Sequence, residues 1–532
     1  MAKIALLFSV IIFLVGSTTV QAAPSIDEYM ALRNQVLQTE DSIFLGGSAT
    51  LDGRETLVNE ILMGFKTKEY TLGMETNNGE WFAGTKHIFH AMEAIEASNV
   101  FKIIRIMPKG AALHMHDVTV APTSSFMNIS TWANLYYCEG DNNHLLFRFY
   151  PSPPPFGCRE GTIWKSVASL RENAPSAGWV EEYFQRSMNM YTPTPDVEYP
   201  NTNVAWNLFE KKITTAAGMG DYLPAYLQYY YDTLKYHLDD NVMYIEMRGL
   251  LNSVYHLNQT ELGAREILRG LKETTDQFLI DYPDFFGAKY IYAPHRFNTP
   301  VDIGAMIDDS VLMKTEFPQY FAGFDLVGQE DKGSPLLFFL PQLLNATDKG
   351  VKFFFHAGET DWRGTKIDEN LIDAVLLNTT RIGHGYALYS HPYLYEKAKE
   401  QQIAVEVCPI SNQILGLVKD FRNHPAFNYM RDDFPVVIAA DGPGIYGMSA
   451  LSHDYYVAFM VMGGEHADLR FLKKLAQNSI QYSAMEAGEK VVAQALWEAK
   501  WSTFLDEVIR QYGNSTEQDV MDNSIPMSAV VL

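Results

Sequence analysis

The chain has 532 residues, with 41 basic against 64 acidic side chains for a formal charge of −23, and 47% apolar content that includes 31 Phe and 30 Tyr. Such a composition can bury a large core, which excludes disordered and collagen-like chains. The acidity argues against a phosphate-backbone ligand, because nucleic-acid binders need clustered Lys and Arg.

Lys3 is followed by an apolar run from Ile4 to Val15, then by Gly16, Ser17 and Val20-Gln21-Ala22-Ala23. This pattern predicts a cleavable secretory signal over 1–23, cut near Ala22 or Ala23. A membrane span needs about 20 apolar residues, more than this run supplies, so the mature chain is expected to be extracellular without a span. Sequons at Asn128, Asn258, Asn345, Asn378 and Asn514 fit N-glycosylation in an exported chain.

Residues 24–100 lack strand patterning. Ile26, Tyr29, Met30, Leu32, Val36 and Leu37 recur at helical spacing, and a second helix is predicted from Phe89 to Ser98. This arm is either a packing extension of the main domain or an oligomerisation element.

From residue 101 the pattern changes to short apolar strands separated by helix-length stretches. The strands are expected at Ile103–His116, Val242–Arg248, Ala288–Ala293, Tyr320–Val327, Val351–His356, Thr380–His384, Ile403–Cys408 and Val436–Asp441. Helices are expected at Asp221–His237, Glu261–Phe278, Ile367–Leu377 and Pro392–Glu400. Repeated alternation with apolar strands predicts a parallel sheet covered by helices, most economically a (β/α)8 TIM-type barrel over 101–127 and 189–510. An open doubly wound sheet is the alternative, but no Gly-rich dinucleotide turn follows a strand. The long gap between the first two strands predicts an inserted subdomain over 128–188. Cys138 and Cys158 lie within it around a Pro-rich loop that a disulfide could hold, while Cys408 reads as a reduced core cysteine. Residues 511–532 form a C-terminal tail.

Chemistry-bearing residues stand at four strand ends: Leu113-His114-Met115-His116-Asp117, Phe355-His356-Ala357-Gly358-Glu359, Arg381-Ile382-Gly383-His384-Gly385 and Ala439-Ala440-Asp441. Strand ends of a parallel barrel converge on one face, and residues two apart on a strand point the same way, so His114 and His116 can grip one ion. Three imidazoles and a carboxylate suit one Zn²⁺ per chain, held by His114, His116, His356 and Asp441. Glu359 and His384 are then the candidate proton-transfer residues of a hydrolase.

These runs, with Met107-Pro108-Lys109-Gly110, Gly323-Phe324-Asp325-Leu326-Val327-Gly328, Thr360-Asp361-Trp362 and Glu406-Val407-Cys408-Pro409-Ile410-Ser411-Asn412-Gln413, resemble the adenosine deaminase-related growth factors, the secreted type-2 adenosine deaminases. The resemblance implies hydrolysis of adenosine, and of 2'-deoxyadenosine, to the inosine form and ammonia, which lowers extracellular adenosine. By the same resemblance Glu359 protonates the purine ring and His384 orients and deprotonates the water. It also implies that Asp117, Trp206, Glu210, His295 and the backbone of Gly328 contact nucleoside. The arm then mediates a homodimer, and the insertion meets a cell-surface receptor or glycan. Trp206 reads equally as core and His295 as a loop histidine.

One departure stands out. The family carries two consecutive aspartates after the eighth strand, and here the run is Asp441-Gly442-Pro443. Pro294 and Gln329 also replace an aspartate and a histidine. Loss of the charge-assisted contact at 442 costs roughly 1.5 to 3 kcal/mol, so two other readings stay open. One is a growth-factor-like or nucleoside-binding protein with a weak or inactive site; the other is a deaminase of a different nucleoside.

Overall fold

The computed structural model describes residues 23–75, 82–141 and 144–513; residues 1–22 of the predicted signal and the tail from 514, with Asn514, lie outside the described residues. Eight parallel strands make up the centre: β1 (Gly110–His116), β2 (Val242–Gly249), β3 (Gly287–Tyr292), β4 (Phe321–Phe324), β5 (His356–Ala357), β6 (Arg381–His384), β7 (Ala404–Val407) and β8 (Val436–Ile438). They pair as two four-stranded sheets, β1 to β4 and β5 to β8. Single parallel bridges close both seams, Phe324 to Phe353 between β4 and β5, and Met115 to Asp441 between β1 and the end of β8. The result is a closed α/β barrel, as the alternation predicted. Every residue of β2 to β8 is buried, which is why these strands read as apolar runs.

The first expected strand is corrected. Asn99–Ile106 is a helix, and the strand begins only at Gly110. Ser98 caps the helix through the Phe101 N–H, and Val100, Ile103 and Ile104 form its buried face. Pro108 then separates the two elements. Strand pairing is also shorter than expected in β5, where residues 351–355 contribute one bridge at Phe353. The four expected helices are present at Leu223–Asp239, Ala264–Asp281, Asn370–Leu376 and Pro392–Glu400.

Between β1 and β2 lie three short antiparallel strands, Leu135–Glu139, Leu145–Phe149 and Lys165–Ser166, and helices Thr123–Ile129 and Trp179–Met188. They share an apolar cluster of Phe126, Tyr137, Phe147 and Phe184, closed by Tyr229 of Leu223–Asp239. A disulfide joins Cys138 to Cys158, and Cys408 is free and buried. The N-terminal helix Ile26–Ile43 has no buried residue, and Ile26, Tyr29, Leu32 and Val36 are exposed. The second predicted helix is present at Ile88–Ala97. Asn128, Asn258, Asn345 and Asn378 are exposed.

Candidate active site

The C-terminal ends of the strands bring six predicted residues together. His114 and His116 project from β1, with their Nε2 atoms 3.2 Å apart. Asp441 Oδ1 lies 3.1 Å from His116 Nε2 and 3.6 Å from His114 Nε2. One ligand nitrogen of each of His114, His116 and His356 falls within 4.8 Å of the others. Asp441 and His384 both adopt left-handed backbone, φ +61° and +58°, a strain that side-chain-bearing residues tolerate where surroundings enforce it. Asp441 Oδ2 accepts hydrogen bonds from Ser411 (2.7 Å) and Tyr446 (3.1 Å). Burial pushes the Asp441 carboxyl up, but the His114 and His116 rings beside it outweigh this and hold it well below the usual range.

The opposite ring nitrogens explain why the donor set fits a divalent metal. His114 Nδ1 lies 2.7 Å from Glu406, and His356 Nδ1 lies 2.6 Å from Asp325. Each carboxylate takes the Nδ1 hydrogen, which leaves Nε2 as a lone pair, the state a metal-binding imidazole needs. Ring lone pairs and an ionised Asp441 crowded together in a buried space repel unless a cation sits among them, and imidazole with carboxylate suits zinc.

Sequence reasoning missed the buried ion lattice beneath these histidines. Arg248 Nη2 donates to Glu406 at 2.6 Å and its Nε lies 3.5 Å from Asp325; Arg381 donates to Glu406 and to Glu246, each at 2.6 Å. Arg248 also lies against His114 Nδ1. All five charged side chains are fully buried. Burial raises the Glu406 pKa, but Arg248 and Arg381 together drive it well below the usual carboxylate range. Charged residues inside apolar strands, Glu246 and Arg248 in β2 and Glu406 in β7, were the available signal.

Glu359 and His384 face each other, Glu359 Oε1 being 3.5 Å from His384 Nδ1, beyond a good hydrogen bond. The Glu359 Oε1 atom is buried without a hydrogen-bond partner. Burial, then the neighbouring Asp441 and Glu330 charges, push the Glu359 carboxyl well above its usual range, toward a protonated acid. Glu330 accepts the backbone N–H groups of Gly358 (3.1 Å) and Glu359 (2.7 Å). Burial and the nearby His114 push His384 well below its usual pKa.

The expected nucleoside contacts separate into two groups. Asp117 follows His116 at the barrel mouth, and its Oδ2 accepts from Tyr226 (2.9 Å) and Tyr290 (3.3 Å). His295 and Gly328 are neighbours: a Cβ on Gly328 would lie 2.8 Å from His295 Nδ1, an atom buried without a hydrogen-bond partner. Trp206 and Glu210 lie on helix Thr202–Gly220, where Trp206 meets Phe209 edge-on and Phe209 stacks on Tyr446. Gln329 ties that helix to the mouth by donating to Asn203 at 3.1 Å. At Gly442 φ is −127°, so no left-handed backbone calls for glycine, but a Cβ would sit 3.0 Å from Ile445 and 3.2 Å from Thr119 Oγ1 and would press on both.

Comparison with known proteins decides the family. The family described as adenosine deaminase matches residues 226–496, and that described as adenosine/AMP deaminase N-terminal matches 7–104. An adenosine deaminase of Aedes albopictus is 40% identical over 490 residues, 91% of this chain and 90% of the relative. The chain belongs to the adenosine deaminase family. Within that family, adenosine deaminase 2 of Homo sapiens and adenosine deaminase 2-A of Danio rerio are each 38% identical, over 92% and 89% of this chain and 94% and 93% of theirs. The fold is that of the N6-mAMP deaminase of Arabidopsis (TM-score 0.55, 15% identity, 75% of this chain and 99% of that one). It is also that of a zinc-bound amidohydrolase of Burkhoderia ambifaria (TM-score 0.54, 16% identity, 77% and 95%). Among the described residues no helix is long and apolar enough to cross a membrane.

Proposed function

We propose that this family member is a secreted, zinc-dependent adenosine deaminase that converts adenosine, and 2'-deoxyadenosine, to the inosine form and ammonia. The observation that carries this reading is the convergence of three imidazoles and Asp441 beside a buried, unpartnered Glu359 carboxyl. His114, His116, His356 and Asp441 would hold the metal. A bound zinc lowers the pKa of its water to about 7, so ionisation at neutral pH needs no strong base. Glu359, kept protonated by burial and Asp441, supplies a proton to the purine ring nitrogen as C6 is attacked. His384 orients the attacking oxygen and takes its proton, and Asp117, Trp206, Glu210, His295 and Gly328 bound the nucleoside. The exposed apolar stripe of Ile26–Ile43 supports a homodimer through the arm, and the insertion is its contact surface for a cell-surface receptor or glycan.

Purified protein is expected to contain about one zinc per chain and to convert adenosine in an ultraviolet assay. A zinc-loaded chain inert at millimolar adenosine sinks the reading.

Gly442 favours a second reading, a secreted nucleoside-binding or growth-factor-like protein with a weak site. Under it, Gly442→Asp raises activity from near zero, and Glu359→Gln leaves the signalling effect intact. A substrate panel separates both from a deaminase of another nucleoside.

A further inference from the structure

His384 is approached from behind by a chain of three hydrogen bonds that runs in one direction. It starts at an obligatory donor: the Ala426 backbone N–H donates to His424 Nδ1 at 3.1 Å. His424 is buried, and burial pushes its pKa down to about 3, so the ring is neutral and carries its single hydrogen on Nε2. That hydrogen goes to Asn412 Oδ1 at 2.9 Å. The Asn412 amide is thereby oriented, and its Nδ2 donates to His384 Nδ1 at 3.1 Å. Asn412, His384 and His424 are all buried, so water does not reverse the order.

A neutral imidazole that accepts at Nδ1 must carry its hydrogen on Nε2. Turning the Asn412 amide over would bring its NH2 group against the His424 N–H. His424 cannot change tautomer in response, because Ala426 occupies its other nitrogen. Glu359 offers no rescue, its Oε1 being 3.5 Å from His384 Nδ1. The His384 ring centroid lies 4.9 Å from that of His114 and 5.2 Å from that of His356, so the ring lies beside the histidine cluster, and Nε2 is the nitrogen that the Asn412 bond leaves free.

We propose that Asn412, oriented by His424, is a positioning residue that fixes His384 in the Nε2–H tautomer, so that His384 acts on the reacting oxygen as a hydrogen-bond donor rather than as a proton acceptor. The inference rests on the deaminase reading and revises one role within it: where the resemblance has His384 take the water's proton, an Nε2–H ring instead orients an oxygen that has already lost that proton to solvent.

The test reads the tautomer directly. Zinc-loaded protein labelled with ¹⁵N-histidine, with His384 assigned by loss of its signals in His384→Gln, should show His384 as the Nε2–H tautomer; an Nδ1–H tautomer or an imidazolium at neutral pH overturns the proposal. Asn412→Asp replaces the donor at Nδ1 by an acceptor and should switch the ring to Nδ1–H. It should also lower kcat by about tenfold or more with KM within about threefold, the pattern of a lost transition-state contact. A rise in kcat shows instead a base strengthened by a carboxylate and overturns the proposal. Where Asn412→Asp does not fold, His424→Leu frees the amide to turn and should lose the single tautomer; retention of a pure Nε2–H ring there shows that the relay does not set it. The wild-type spectrum needs no turnover, so an inert wild type with an Nε2–H ring refutes the deaminase reading and leaves the relay standing.

Discussion

Asp325 holds His356 at two points: Oδ1 accepts the His356 backbone N–H at 2.9 Å, and Oδ2 faces its Nδ1 at 2.6 Å. The side chain and backbone of one candidate ligand are therefore set by a single buried carboxylate just past the end of the neighbouring strand β4. Arg248 extends the grip to Glu406, which holds His114. Asp325→Asn keeps the volume but leaves only one oxygen, so one of the two bonds fails. Zinc affinity should fall about 10- to 100-fold, read by competition with a chromogenic chelator, while far-ultraviolet circular dichroism stays unchanged. Unaltered affinity would mean that Asp325 only supports the barrel.

The bond between Glu330 and the Glu359 backbone makes a different prediction. Two consecutive peptide N–H groups meet the two oxygens of one carboxylate, with Asn370 donating to Oε1 at 2.7 Å. Glu330→Gln must turn an NH2 group toward one of these donors and shift the turn that carries Glu359. A displacement near 1 Å can reduce turnover about a hundredfold. We expect kcat to fall by at least about tenfold at unchanged zinc content, and a value within twofold of wild type removes Glu330 from the positioning machinery.

Much of the barrel and its candidate ligand set is legible in the sequence, for a local reason. Buried parallel strands are short apolar runs, and a His or Asp that ends such a run is conspicuous, so His114, His116, His356, His384 and Asp441 stand out from the residue pattern alone. Ile103–Ile106 reads as strand because an amphipathic helix face and a buried strand use the same residues over four positions. The partners of the candidate ligands are hidden for a tertiary reason. Glu406 stands on β7 and His114 on β1, and only barrel closure brings them to 2.7 Å. The order of the Asn412 to His424 relay depends on which backbone N–H meets which ring nitrogen, and residue types do not encode that.

Gly249 is a glycine because its neighbours leave no room. A Cβ there would lie 1.8 Å from Tyr290 Oη and 2.2 Å from Asp117 Oδ2. Gly249→Ala must drive Asp117 away from Tyr226 and Tyr290, since β2 is pinned on both sides by β1 and β3. If Asp117 contacts nucleoside, KM for adenosine should rise by about tenfold or more, comparable to one lost charge-assisted bond, with zinc content unchanged. A zinc-loaded variant with wild-type KM would take Asp117 out of the substrate site.

Lys66 links the N-terminal helix Gly53–Glu75 to the barrel and should give the fold a pH dependence of its own. Its Nζ is buried, donates to the carbonyls of Phe459 (3.1 Å) and Ala467 (2.6 Å), and lies 3.8 Å from the Phe459 ring centroid. Burial pushes its pKa from 10.5 down to about 7, against the pull of Asp468 and Glu465. Between these two values the unfolded chain holds a proton that the folded chain has released. Stability from this group therefore grows as pH rises from about 7 toward 10.5, by at most about 1.4 kcal/mol per unit. Below pH 7 both states are protonated and the slope vanishes. Lys66→Met deletes the slope and leaves two carbonyls unpaired at every pH, a constant offset that cancels in the comparison. Urea unfolding of wild type and variant at pH 7 and pH 9 should show the difference between them shifting in favour of wild type at the higher pH. A difference that is constant, or that shifts the other way, would mean that Lys66 stays charged in the folded chain.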